Sequence, residues 1–261
     1  MGRVLAIANQ KGGVGKTTTS VNLAASLIIT RKRVLLVDLD PQGNATMGSG
    51  INKSSLEKSV YDLLVSDAKF DEVVLRPEFA EYDLLPANGD LVAAEIELIG
   101  VENKELRLRQ IIDEKRHNYD YVVIDCPPSL NMLTVNALVA ADGVVIPMQC
   151  EYYALEGLSA LMDTIGAIRD RLNPELKIDG ILRTMYDPRN KLTTEVNGQL
   201  FEYFGDAVYR TVVPRNVRLA EAPSFGKPVI MYDRQSRGAI AYLALAGELL
   251  RRSDEAAASA T

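Results

Sequence analysis

At 261 residues, with 47% hydrophobic and 25% charged residues, the chain has the composition of a globular protein of one large α/β domain or two small ones. No apolar run approaches the roughly 18 residues of a membrane span. The lone His117 excludes His-cluster metal sites and argues against Ser-His-Asp catalysis, Cys126 and Cys150 lie too far apart for a C-x-x-C zinc site, and a net charge of −6 argues against nucleic-acid binding by the surface as a whole.

The apolar run at residues 4–8 reads as a strand at the very start, which sets the expectation that no leader peptide precedes the fold. It passes into Asn9-Gln10-Lys11-Gly12-Gly13-Val14-Gly15-Lys16-Thr17-Thr18 and, from Thr17, into a helix-periodic segment. That order of strand, glycine-rich turn and helix is a phosphate cradle. Glycines let successive backbone N–H groups turn onto an anion, and the helix N-terminus adds its partial positive charge. Lys16 is placed to reach the β- and γ-phosphates, and the Thr17 hydroxyl to sit on Mg²⁺. The general pattern G-x-x-x-x-G-K-[ST] has Gly where Gln10 stands, so this loop is a variant, with an additional lysine, Lys11, at its mouth.

Val21, Ala24, Ala25 and Ile28 carry the spacing of a helix packed on a sheet over residues 17–30, closed by Arg31-Lys32-Arg33. Residues 34–37 read as a buried strand that ends at Asp38-Leu39-Asp40-Pro41-Gln42-Gly43-Asn44. Carboxylates at the C-terminal end of such a strand face the crevice where α/β sheets bind ligands, the plainer alternative being two acids in a solvated turn. Residues 48–70 form a polar connection with a short helix around Tyr61, followed by a strand at 82–86 and helices near 90–99 and 103–116. The charge run in the last of these reads as a solvated face, with His117 at its end.

Tyr121-Val122-Val123-Ile124-Asp125 is the next buried strand, broken at once by Cys126-Pro127-Pro128-Ser129. Asp125, after four hydrophobic residues and downstream of a phosphate loop, stands where such folds hold Mg²⁺ and its water shell. Strands at 144–147, 178–185 and 208–213 follow, with helices at 153–171, 192–204, 216–222 and 237–250 and a disordered tail over 253–261. Strands alternating with helices, each strand nearly all apolar, predict one domain over 1–252. Its architecture is a mostly parallel twisted sheet with helices on both faces.

These stretches carry a family resemblance. Residues 11–18 resemble the deviant Walker A motif of the ParA/MinD ATPases. Asp38-Leu39-Asp40-Pro41-Gln42-Gly43-Asn44-Ala45-Thr46 resembles the switch motif of the ParA branch, and Val123-Ile124-Asp125-Cys126-Pro127-Pro128 its Walker B. Gln149-Cys150-Glu151-Tyr152-Tyr153-Ala154-Leu155-Glu156-Gly157 and Pro214-Arg215-Asn216-Val217-Arg218 are similar to the chromosomal ParA proteins called Soj. The likeness runs over residues 2–250.

The resemblance implies ATP/ADP and Mg²⁺ as ligands and a homodimer formed with ATP. Gly13, Val14, Gly15 and Thr18 would line the cradle, and Lys16 would hold the phosphates of its own subunit. Lys11 would reach the partner's nucleotide, and Gly12 would lie where two loops meet. Asp40 would orient the attacking water, Asp38 and Asp125 would bind Mg²⁺ through water beside Thr17, and Pro214 and Asn216 would touch the adenine. It also implies a cytoplasmic, nucleoid-associated protein whose ATP-bound dimer holds double-stranded DNA without sequence preference, released when a ParB-type centromere-binding protein stimulates hydrolysis. Between Arg183 and Arg237 nine Lys/Arg face six Asp/Glu, against a net excess of acid elsewhere. Arg189, Arg215, Arg218, Lys227, Arg234 and Arg237 are therefore the candidate phosphate contacts, with scattered surface arginines as the alternative. A MinD-like membrane ATPase is the nearest rival, but the tail holds no Lys or Arg and offers no stable membrane anchor. An iron–sulfur ATPase needs a cysteine pattern that Cys126 and Cys150 lack. A biosynthetic ligase on the same fold is not excluded by the loop alone.

Overall fold

The strands that read as continuously apolar are those buried on both faces. In the computed structural model, which describes residues 2–66 and 68–259, every residue of β2 (Val34–Asp38) and β4 (Tyr121–Asp125) is buried. With β1 (Arg3–Ile7), β3 (Asp83–Leu85), β5 (Gly143–Gln149), β6 (Lys177–Tyr186) and β7 (Val208–Pro214) they form one sheet of order β3-β2-β4-β1-β5-β6-β7. Every neighbouring pair is parallel. The register sets Asp38 opposite Asp125 and Ile7 opposite Asp125, so two carboxylates and the strand that feeds the phosphate loop end side by side.

Helices cover both faces, as expected for a parallel sheet. The Lys16–Ile29 and Arg237–Ser259 helices pack on one face, through Val21, Leu23, Leu27, Tyr242, Leu245 and Leu249. The Leu91–Glu97, Arg107–Lys115, Met132–Ala140, Ala154–Arg171 and Lys191–Phe204 helices pack on the other, through residues such as Leu91, Ile112, Leu133, Leu158 and Leu200. Among the described residues no helix is long and apolar enough to cross a membrane. Cys126 and Cys150 are free thiols, both buried.

The structure departs from the sequence reading at four short or hidden helices and at the tail. Asn44–Gly48, Phe70–Val73, Met132–Ala140 and Val229–Tyr232 are helical where no helix is predicted. The segment expected to be disordered from residue 253 continues the last helix to Ser259, residues 260 and 261 lying outside the described residues. Its sequence is alanine-rich, Ser253 Oγ donates to the Leu249 carbonyl and accepts from Arg3, and Arg251 pairs with Glu255 one turn on. Such features extend a helix beyond its packed portion.

One close approach fixes the segment after β2. Gly50 and Gly226 lie backbone against backbone, and a Cβ at Gly226 would stand 2.6 Å from Gly50 Cα. The Asn44–Gly48 helix is thereby tied to the segment that follows β7.

Candidate nucleotide-binding site

The phosphate loop leaves β1 and enters the Lys16–Ile29 helix through Gly15, whose φ of 89° suits glycine alone among common residues. The Lys16 side chain folds back over the loop, Nζ donating to the Lys11 carbonyl at 3.2 Å. Burial pulls its ammonium below the ordinary value, while Asp125, Cys126 and Asp40 act in the opposite sense. Thr17 and Ser20 on the first helical turn face Asp125, and Ser20 Oγ donates to Asp125 Oδ1 at 2.8 Å.

Asp38 and Asp125 are both fully buried. Thr46 donates to Asp38 Oδ2 from its backbone N–H and from its hydroxyl, each at 2.7 Å, and the Asp40 N–H donates to Oδ1 at 3.2 Å. Among the described residues Asp125 Oδ2 meets no hydrogen-bond donor. Burial raises the affinity of both carboxyls for a proton, and for Asp125 the neighbouring Asp38 adds to it. Two buried acids side by side, one oxygen without a partner and a threonine hydroxyl beside it, fit a divalent cation that keeps part of its water shell. Asp40 stands at the mouth, 8% exposed, its carboxylate accepting from the Gln42 N–H at 2.9 Å.

A cavity of about 200 Å³ opens beside the loop, lined by Gly15, Thr18, Thr184, Pro214, Asn216 and Tyr242 among others. Pro214 and Asn216 are thus brought to the phosphate loop from the far edge of the sheet. The Asn216 side-chain oxygen Oδ1 also caps the Val217–Glu221 helix by accepting from Leu219 N–H. Its amide nitrogen and the apolar walls suit a planar base.

Thr184 carries no sequence signal, and the fold adds partners to residues of the loop. Thr184, at the end of β6, donates to the Val14 carbonyl at 2.7 Å and lies 3.1 Å from the Met148 carbonyl. Asn9 Nδ2 donates to the Pro147 carbonyl, and Asn9 Oδ1 accepts from Lys11 N–H, at 2.8 and 2.9 Å. Lys11, whose side chain is 45% exposed, pairs with Glu151 at 2.5 Å. Around Gly12 there is open space: a Cβ there meets nothing within 4 Å.

The six basic candidates are not equivalent. Arg189 is held by Asp187, and Arg218 by Glu221 (2.8 Å) and Asp233 (3.3 Å). Lys227 lies over the Phe79 ring at 4.2 Å and lines a separate cavity with Thr17, Thr18 and Asn44. Arg215 borders the cavity beside the loop, while Arg234 and Arg237 are exposed and form no ion pair among the described residues.

A family model described as an AAA domain matches residues 2–178. The chain is 55% identical to the sporulation initiation inhibitor protein Soj of Bacillus subtilis, over 95% of this chain and 98% of that one. It is 51% identical to the chromosome partitioning protein ParA of Caulobacter vibrioides, over 99% and 97% respectively. Among solved structures, a Mycobacterium smegmatis protein named as a cobyrinic acid a,c-diamide synthase, with bound ADP and magnesium, superposes with a TM-score of 0.86. It is 38% identical over 97% of this chain and 96% of that one.

Proposed function

The chain belongs to the AAA domain family, among the Soj and ParA chromosome-partitioning proteins, and from that premise we propose that it is a DNA-binding partition ATPase that works as an ATP-dependent dimer. The observation that carries this reading is the convergence of Lys16, Thr17, Asp38, Asp40 and Asp125 at the adjacent ends of β1, β2 and β4. In it, Lys16 and the loop N–H groups bind the phosphates of ATP. Thr17, Asp38 and Asp125 hold Mg²⁺, whose charge offsets that developing on the transferred phosphoryl group. Asp40 orients the attacking water.

Lys11 completes the site of a second copy. Its pairing with Glu151 is half-exposed, and such pairs contribute about 0–1 kcal/mol, so the lysine is released at little cost when two loops meet. Dimerisation presents the basic residues of residues 183–237 twice, and DNA is held through its phosphates. A ParB-type protein then stimulates hydrolysis and release. The protein works in the cytoplasm on the nucleoid.

The test pairs two variants in light scattering, ATPase and DNA-binding assays. Gly12→Val is expected to bind ATP and stay monomeric: a Cβ at this position meets nothing within 4 Å in the chain, so an obstruction points to a second copy. Asp40→Ala is expected to dimerise with ATP, hydrolyse poorly and persist on DNA. An ATP-dependent dimer in the first, or a monomer in the second, overturns the assignment. The name of the mycobacterial structure favours a second reading, an amide-forming ligase. ATP turnover that responds to DNA and a ParB-type protein, and not to small carboxylic acids, separates the two.

A further inference from the structure

The Leu91–Glu97 helix and the Leu98–Gly100 turn that follows it bury Leu91, Ala94 and Leu98 in the hydrophobic core. They leave Val92, Ile96 and Ile99 57%, 72% and 65% exposed. The spacing of i, i+4 and i+7 sets these three branched side chains in one outward stripe. Single exposed apolar residues are ordinary, whereas an aligned stripe is the mark of an interaction surface. Leu130, 42% exposed, belongs to the neighbouring loop, which is held to this helix by Asn131 donating to Glu95.

The stripe is set among carboxylates that have no cation. Asp90 accepts from Asn88 and Glu97 from Tyr61, both at 2.9 Å, and Glu95 accepts from Asn131. Glu102 is exposed, and among the described residues none of the four forms an ion pair. Lys104 turns its ammonium to the Ile99 carbonyl instead, at 3.5 Å. An apolar stripe bordered by unneutralised acid complements an amphipathic segment with basic flanks and repels nucleic acid.

We propose that this face docks a basic amphipathic segment of the ParB-type partner, an inference that rests on the partition reading above. The face is joined to both buried carboxylates. Just before the helix, Ala87 N–H donates to Thr46 Oγ1 at 2.9 Å, and Thr46 in turn donates to Asp38. Within the helix, Glu95 grips Asn131, at the end of the loop that leaves Asp125. A partner seated on the stripe therefore bears on the two segments that position Asp38 and Asp125, which gives stimulation of hydrolysis a physical route.

The test uses the full chain with ATP, DNA and its cognate ParB-type protein, reading partner affinity by anisotropy and ATPase stimulation together. Ile96→Glu and Glu102→Lys are each expected to weaken partner binding roughly tenfold or more and to reduce stimulation in proportion. Ile96→Val retains both. Basal ATPase, ATP-dependent dimer mass and DNA affinity stay at wild-type values, as both residues are exposed and outside the nucleotide site. Wild-type stimulation of Ile96→Glu overturns the inference and leaves the partition reading standing. Loss of the ATP dimer in that variant overturns it in favour of a second copy as the occupant. A wild-type chain that its ParB-type protein neither binds nor stimulates overturns both.

Discussion

The Val14 carbonyl, inside the phosphate loop, accepts its hydrogen bond from Thr184, 170 residues away. The C=O and N–H of one peptide unit point in opposite directions, so holding Val14 O outward turns the Gly15 N–H into the cradle. We propose that Thr184 is thus a positioning residue for phosphate binding; it also lines the cavity beside the loop. Thr184→Val keeps the shape and removes the hydroxyl, leaving a buried carbonyl without a partner at a cost of about 1–3 kcal/mol. Calorimetry is expected to show ATP affinity reduced on the order of tenfold, restored by Thr184→Ser. A fall in melting temperature with unchanged affinity would make the residue merely structural. The loop itself is legible in the sequence because its N–H donors, lysine and hydroxyl are contiguous. Thr184 is not, because it is brought to the loop by the sheet order and has no local pattern of its own, and the Gln149–Gly157 stretch that holds Glu151 does not show that its carboxylate meets Lys11.

The strands, similarly, are legible because burial on both faces demands unbroken apolar runs. The same burial hides the Met132–Ala140 helix: Leu133, Ala137, Leu138, Val139 and Ala140 are all buried between the sheet and its neighbours, so no polar face marks a period. The remaining cue was its cap, Asn131, whose side chain accepts from Thr134 N–H at 3.1 Å. The Asn44–Gly48 helix is too short to show a period, and its position is set by the contact of Gly50 with Gly226. Gly226 has a φ of 62°, where a side chain costs about 1–2 kcal/mol before any clash is counted. Gly226→Ala is therefore expected to lower the melting temperature by several degrees, at about 2–4 °C per kcal/mol. It should also slow ATP hydrolysis, since displacing Gly50 moves the helix that holds Thr46 on Asp38. Unchanged hydrolysis in a destabilised variant would confine the contact to stability.

At the scale of the whole molecule, a net charge of −6 requires any DNA-binding face to be segregated from the acid elsewhere. The sequence count over residues 183–237 treats six basic residues alike, and the fold separates them. Arg189 draws the Asp187 carboxyl down to about 2, so that pair stays ionised throughout the physiological range and its charge is already met. Arg218 is met twice, by Glu221 and Asp233. Arg234 and Arg237 carry uncompensated charge, and a phosphate that they meet releases a counterion without first displacing a carboxylate. In a salt titration of random duplex DNA with ATP, Arg234→Ala and Arg237→Ala are each expected to reduce the log–log slope by about one unit per lost contact. The loss counts twice where a two-fold dimer places both copies on the duplex. Arg189→Ala and Arg218→Ala are expected to lower the slope less, because an arginine already met by a carboxylate must give up that pair before it meets a phosphate. Slopes that fall equally for all four would show that the ion pairs open on DNA. Slopes unchanged for Arg234 and Arg237 would move the DNA face off this segment, and binding equal in ADP and ATP would remove the nucleotide switch from DNA affinity.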